Sequence, residues 1–422
     1  MLERIRTALS QCGIDTYLIR RERQETAELF FVKKRLDMRR VKNVILWTVT
    51  VYRDFAEGGA PMRGASQVSL SPDAGDEEIS HSLKDAYAAA GCVKNPAFEL
   101  YAGEPAPETE MPSGFRGKDL MESAWLMAGA LFAADTRPDA FLNSAEVFMT
   151  RSRVHLWSSA GTDTGYDKID CRGEFVVQCK EPQDVEQYFH FSYAEPDTAS
   201  LKEKAAQALE TVCDRAHATR RPKAGVYDVV LSGENLKKIL SFYVFRSNAA
   251  MVFPHYSDYA PGKVLQGDGS GEKLNITLLP ETPCSDEGVP MGERILTRNG
   301  ILLALHGDTR MCRYLGMEPT GTYRRVRLEN GTVPFETLRR GCLYPVSFSD
   351  FQMDPMSGHF GGEIRLAYLV TDEGVEPVTG GSVNGSFLEK QGELVFSIER
   401  YTDAEFDGPM AVRIPGVNVS GE

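Results

Sequence analysis

The chain has 422 residues, enough for two or three domains with their own cores at ~100–200 residues each. Hydrophobic residues at 42% and charged residues at 25% are globular values and exclude a mostly disordered or fibrous chain. The 47 Lys and Arg against 60 Asp and Glu leave a net charge of −13. Phosphate backbones repel such a protein unless its cations are concentrated on one face, so nucleic acid is not an expected partner.

The longest nearly apolar stretch, Ala124–Ala134, is about half the ~20 residues of a membrane span and reads as a buried helix. No membrane association is expected. Charges at Glu3, Arg4 and Arg6 interrupt the N-terminal apolar positions, where an export signal needs a continuous core. The eight cysteines, none in a CxxC arrangement, are too dilute for a disulfide framework and fit reduced thiols. A cytoplasmic protein is the expectation.

Residues 1–54 hold twelve Lys and Arg against seven Asp and Glu, a local +5 that leaves −18 for the remainder. Alternating runs at Thr16–Arg20, Thr26–Val32 and Val44–Tyr52 predict strands. Their charges read as a solvated sheet face, with an anionic ligand site as the other reading. Glu57–Gly75 reads as a connector. Ile79, Leu83 and Tyr87 then lie four apart and predict a helix over Glu77–Ala90, stopped by Gly91. Tyr101–Gly117 is turn-rich, a helix is expected from about Lys118 to Asp135, and Asp139–Ala194 returns to short alternating runs. Ser200-Leu-Lys-Glu203 has the form of a capping box ahead of Leu201, Ala205, Ala208, Leu209 and Val212.

The polar stretch Arg220–Gly225 breaks the pattern and marks a domain boundary, giving domains 1–222 and 223–422. Beyond it, Leu236, Ile239, Leu240 and Tyr243 define one amphipathic helix over Glu234–Arg246. The rest is strand-rich: Leu274–Leu279, Arg294–Thr297, Ile301–Leu305, Tyr344–Phe351, Glu363–Val370 and Leu394–Glu399. Asn299-Gly300 stands where a tight hairpin wants two positive-φ residues. The fold class is therefore α+β: an N-terminal α/β domain followed by a mainly antiparallel β domain.

Catalytic motifs are scarce. The closest two of the seven histidines are 27 residues apart, so no helix presents the His pair of a zinc peptidase. A site assembled from distant residues, such as His255 and Asp258 with a strand histidine, is the alternative. No window reads G-x-S-x-G; Gly380-Gly-Ser382-Val-Asn384 is the nearest and reads as a turn. The glycine-rich Gln266–Glu272 lacks the Gly-Lys-Ser/Thr ending of a phosphate loop. No cysteine has an activating neighbour pattern, and free cysteine commonly packs as a small hydrophobe.

Several ordered segments of the second half nevertheless resemble one family. Asp286-Glu-Gly288-Val-Pro290, Ile301–Leu305, Leu315-Gly-Met-Glu-Pro-Thr-Gly321 with Arg324-Arg325, Met353–Phe360 and Glu376–Gly385 are similar to successive landmarks of the TldD/PmbA family. The resemblance covers Asp228–Glu389 well and the first half only in general pattern. It implies a cytoplasmic metallopeptidase system of two related subunits that trims leader peptides or degrades unfolded segments. Only the TldD-type subunit carries zinc, on a His-Glu-x-x-x-His helix and a Cys near the C-terminus, with the Glu as general base.

Laid onto this sequence, the six motif positions fall on Ser241-Phe-Tyr-Val-Phe-Arg246, so Ser241 and Arg246 replace the two histidines and Phe242 the base. No cysteine follows Cys342. The resemblance thus implies the PmbA (TldE) side: a catalytically silent subunit with no catalytic or metal residues and no cofactor, zinc belonging only to the alternative reading. Its expected partners are a TldD-like catalytic subunit or a second copy, with an unfolded or leader peptide as cargo. Two departures from PmbA are a shortened tail after Glu389 and a histidine, His359, at a turn position where small acids or amides are usual. The family label "modulator of DNA gyrase" does not imply DNA binding in a chain of this charge. An active hydrolase with a relocated metal or cysteine site, and a homodimeric peptide-binding protein, are the competing readings.

Overall fold

The computed structural model describes residues 1–422. The first sheet is built from the strands Ala60–Leu70, Arg35–Glu57, Tyr17–Val32, Ala140–Ser158 and Asp163–Cys179, in that spatial order. Val185–Tyr193 and the two-residue Thr109–Glu110 both pair with Asp163–Cys179, and every pairing except that of Thr109–Glu110 is antiparallel. One face is covered at its two ends. The helices Leu2–Gln11 and Asp76–Ala90 bury Ile5, Leu9, Ile79 and Leu83 against Ile19, Trp47 and Val49. The helices Leu120–Ala134 and Thr198–His217 bury Met127, Leu131, Leu201 and Leu209 against Leu29, Val147 and Phe175.

The second half holds two sheets. One runs Ile301–Leu302, Arg294–Arg298, Ile276–Leu279, Arg325–Leu328, Phe406–Pro409, Arg400–Thr402. In the other, Leu343–Met353, Gly225–Ser232, Ala411–Ser420, Ser382–Ser386 and His359–Thr371 pair in sequence, and His359–Thr371 pairs back onto Leu343–Met353, closing a ring of five strands. Closure removes free edges. The helix Gly233–Arg246 packs on this ring, and its Leu236, Ile239, Leu240, Phe242 and Tyr243 share one core with strand residues of both sheets. No helix is long and apolar enough to cross a membrane.

Several sequence expectations change. Glu57–Gly75 is not a bare connector: it contains the strand Ala60–Leu70, whose alternation is hidden by its Pro, Arg and Gln. The short runs of Thr16–Val32 and Asp139–Ala194 are parts of longer strands, because charged residues that broke the pattern lie on a polar sheet face rather than in turns. The helix Thr198–His217 is capped by Asp197, which accepts from the Ser200 amide at 2.9 Å, so Ser200 is already inside the helix and Glu203 does not close a box. Within Leu394–Glu399 only Val395–Phe396 is strand. The hairpin at Asn299-Gly300 forms with φ of 51° and 73°.

Candidate functional site

The candidate site lies at the C-terminal end of the Gly233–Arg246 helix, where the three motif-aligned residues have three different surroundings. Ser241 is on the exposed face, its hydroxyl donating to the Lys238 carbonyl at 2.6 Å, a local bond that leaves nothing aimed outward. Phe242 is fully buried, edge-on to Tyr243 and Phe387 at 5.5 and 5.6 Å between ring centres. It is a core residue, and a carboxylate there would be desolvated without a partner.

Arg246 is only 8% exposed. One terminal nitrogen donates to the Met356 carbonyl at 2.9 Å and the other to Asp258 Oδ1 at 2.8 Å, while its guanidinium lies 5.5 Å from the Phe242 ring centre and 5.0 Å from that of Tyr259. Both rings offer it a π-face. The Met356 carbonyl is presented by a stiff turn, in which Asp354 accepts from the Met356 amide and the Ser357 hydroxyl, and the Gly358 amide donates to the Asp354 carbonyl. One guanidinium thus ties together the helix, the 254–263 loop and the turn ahead of His359–Thr371.

The alternative pair does not assemble. Asp258 accepts from Lys263 through its second oxygen, and its carboxyl is held below the usual carboxylate range by that Lys263 bond, with Arg246 adding to it against burial. His255 is exposed, has a positive φ of 62° and makes no hydrogen bond to Asp258. His359 is exposed at the start of its strand.

These residues do not fit a divalent metal. A hydroxyl turned into its own helix, a buried phenyl ring and a fixed cation stand where two imidazoles and a carboxylate would be needed, and no three His, Cys, Asp or Glu side chains come together as a metal-holding group.

Sequence reasoning missed His306. It is 1% exposed, Nε2 donates to the Val244 carbonyl at 2.9 Å, and Nδ1 accepts from the Tyr323 amide at 3.3 Å. Burial pushes its pKa down to about 4, so it is a neutral brace under the last turn of the same helix. No local motif announces it, because its partners are backbone groups distant in sequence.

The landmark Asp286–Pro290 joins the halves. Gly288 has φ of 81°, and a Cβ there would lie 2.3 Å from the Thr162 methyl in the first half of the chain, which is why this position is glycine. Beside it lies an open cleft of about 490 Å³ lined by Arg20, Thr48, Thr50, Tyr52, Asp286 and Glu287, among others. Burial raises Glu287 above the usual carboxyl range although Thr309 donates to it twice, and burial pushes Tyr52 up to about 12.

Residues 224–421 match the PmbA/TldA metallopeptidase C-terminal domain. By that match the second half of the chain carries a C-terminal domain of the TldD/PmbA type. Its fold is shared over 100% of both chains with TldE from Thermococcus kodakarensis (TM-score 0.80, 16% identity). The same is true of a candidate DNA-gyrase modulator from Thermotoga maritima (TM-score 0.78, 16% identity, 100% of both chains). A third such protein, from Bacteroides thetaiotaomicron, gives a TM-score of 0.77 at 15% identity over 100% of this chain and 99% of that one. Likeness at these identities establishes the fold.

Proposed function

We infer that the chain is the metal-free, PmbA (TldE)-like subunit of a TldD/PmbA-type metallopeptidase assembly, supporting the binding of unfolded or leader peptides for a zinc-bearing, TldD-like partner. The observation that carries this reading is Arg246. A guanidinium held by Asp258 and Met356 occupies the last motif position, and its fixed positive charge repels a dication. Phe242 supports it, since a general base cannot be supplied from a ring sealed in the core. A cytoplasmic setting suits the eight unbridged cysteines.

The test is reconstitution with a zinc-bearing TldD-type subunit and an unstructured peptide. The chain alone is expected to give no chelator-sensitive cleavage, to co-elute with that subunit and to raise its cleavage rate. Chelator-sensitive cleavage by the chain alone, or failure to associate, contradicts the reading.

A further inference from the structure

The distal part of Arg35–Glu57 is paired on one side only. Tyr17–Val32 pairs with it from Arg35 to Val51, whereas Ala60–Leu70 pairs only with Trp47–Glu57, and no isolated bridge reaches residues 35–46. The register slips once, opposite Asp37, so from Met38 to Leu46 the strand is regular and its outer edge is open. The Tyr52 amide donates to the Thr16 carbonyl. By antiparallel alternation, even-numbered residues therefore bond inward, and the N–H and C=O groups of Arg39, Val41, Asn43 and Ile45 point outward.

This edge is both apolar and basic. Met38, Val41, Val44 and Leu46 are exposed, Val41 by 72%. Lys33, Lys34, Arg35, Arg39, Arg40 and Lys42 face a single acid in their own segment, Asp37, so the ten residues 33–42 hold +5 in a chain that is otherwise −18. Arg40 and Lys42 are engaged by Glu28, and Lys34 by Asp135. Lys33, Arg35 and Arg39 have no carboxylate partner within ion-pair distance.

Sheet edges are guarded against pairing by shortness, bulges, proline, cover or charge, and the charge on this edge, being of one sign, guards it only against partners that do not carry the opposite sign. This one is nine regular residues long, has no proline, and exposes four large apolar side chains. Charge of one sign between apolar positions favours a partner of the opposite sign. A second copy presenting the same edge would bring +5 against +5. A nucleic acid offers no ladder of amide donors and carbonyl acceptors to complete the edge.

We propose that Met38–Leu46 is a docking edge for an extended acidic segment of another protein, which adds a strand to the first sheet. Main-chain bonds supply the ladder, the apolar side chains alternate against those of the incoming strand, and Arg35 and Arg39 select for Asp and Glu. The edge shares no sheet and no core cluster with the Arg246 helix and does not depend on the role assigned there.

The test is fluorescence anisotropy of the full chain with a labelled twelve-residue peptide alternating Glu and Val. The Glu-Val peptide is expected to bind at least tenfold more tightly than a Lys-Val peptide, and more weakly as salt rises. N-methylation of alternate peptide amides should abolish binding. Val41→Pro, which removes an outward N–H and leaves the inward bonds of Arg40 and Lys42, should weaken it at least tenfold. So should Arg35→Glu with Arg39→Glu, which changes only exposed side chains and keeps the test valid if the proline variant misfolds. Equal binding of the N-methylated or Lys-Val peptide overturns the proposal. Tighter binding of single-stranded DNA, or dimerisation of the chain that the double charge reversal abolishes, overturns it as well.

Discussion

The Arg246 guanidinium donates to Asp258 at 2.8 Å from a position where its own side chain is 10% exposed and that of Asp258 is 67% exposed. The pair is lopsided: one partner is sealed between Phe242 and Tyr259, the other reaches solvent and has Lys263 as a second cation. Arg246→Ala should therefore cost more than Asp258→Asn. Removing the arginine deletes two hydrogen bonds and a packed guanidinium, about 2–4 kcal/mol, whereas neutralising an exposed carboxylate costs about 1 kcal/mol or less. Urea unfolding of both variants checks the ordering, and equal losses would mean that the aromatic sandwich contributes nothing.

A carboxylate placed at position 242 should fail by unfolding rather than by inactivity. Phe242→Glu buries a carboxylate in the core shared by the strand ring and the six-stranded sheet, and should destabilise the protein by more than about 4 kcal/mol. Ser241→His, on the exposed face of the same helix, should change stability by less than about 0.5 kcal/mol. Thermal melts of the two single variants separate them. A folded Phe242→Glu protein would contradict the assigned burial.

His306 makes a pH prediction with a definite sign. Its pKa is lowered to about 4 in the folded state against 6.5 for the unconstrained ring, so between these values the unfolded chain binds the extra proton. The contribution is fully present above pH 6.5 and is lost as pH falls toward 4, by about 3 kcal/mol over the window. His306→Gln should flatten this part of the stability profile. The variant's profile remaining as steep as the parent's would remove His306 from the account.

Gly288 should resist substitution for two separable reasons. Gly288→Ala adds the cost of a left-handed backbone, about 1 kcal/mol or more, to a clash with the Thr162 methyl at 2.3 Å. Thr162→Ser removes that methyl, so the double variant should recover part of the loss and leave the backbone part. A double-mutant cycle by denaturant unfolding measures the coupling, and strict additivity would mean the loop shifts instead.

Much of this architecture is legible in the sequence, for a physical reason. The helices Asp76–Ala90, Leu120–Ala134 and Gly233–Arg246 bury one stripe or are apolar throughout, so their composition carries them. The long strands are less legible. Arg20, Glu22, Gln24 and Glu28 project from the face of Tyr17–Val32 opposite Ile19, Ala27 and Leu29 and are satisfied there by polar partners, Arg20 and Gln24 by Glu22 along the same strand and Glu28 by Arg40 of the neighbouring strand. Hydrophobic alternation is blind to such a face. At the candidate site, the alignment of Ser241, Phe242 and Arg246 with the motif positions is a reading of the sequence alone, whereas the partners of Arg246 are visible only in the structure. Asp258 is 12 residues away and Met356, although it falls within the Met353–Phe360 landmark, is 110, and nothing in the sequence marks either as a partner of Arg246. The docking edge was legible only as a basic N-terminal segment, because an open edge is a property of pairing and cannot be seen in a single strand.

The central claim, that this family framework has exchanged a divalent ion for the guanidinium of Arg246, is tested most directly by calorimetric titration of the chelator-stripped protein with zinc. The account predicts no stoichiometric site, and no gain in melting temperature at equimolar metal. One zinc per chain, bound tightly and lost on mutation of residues around the Gly233–Arg246 helix, would contradict it.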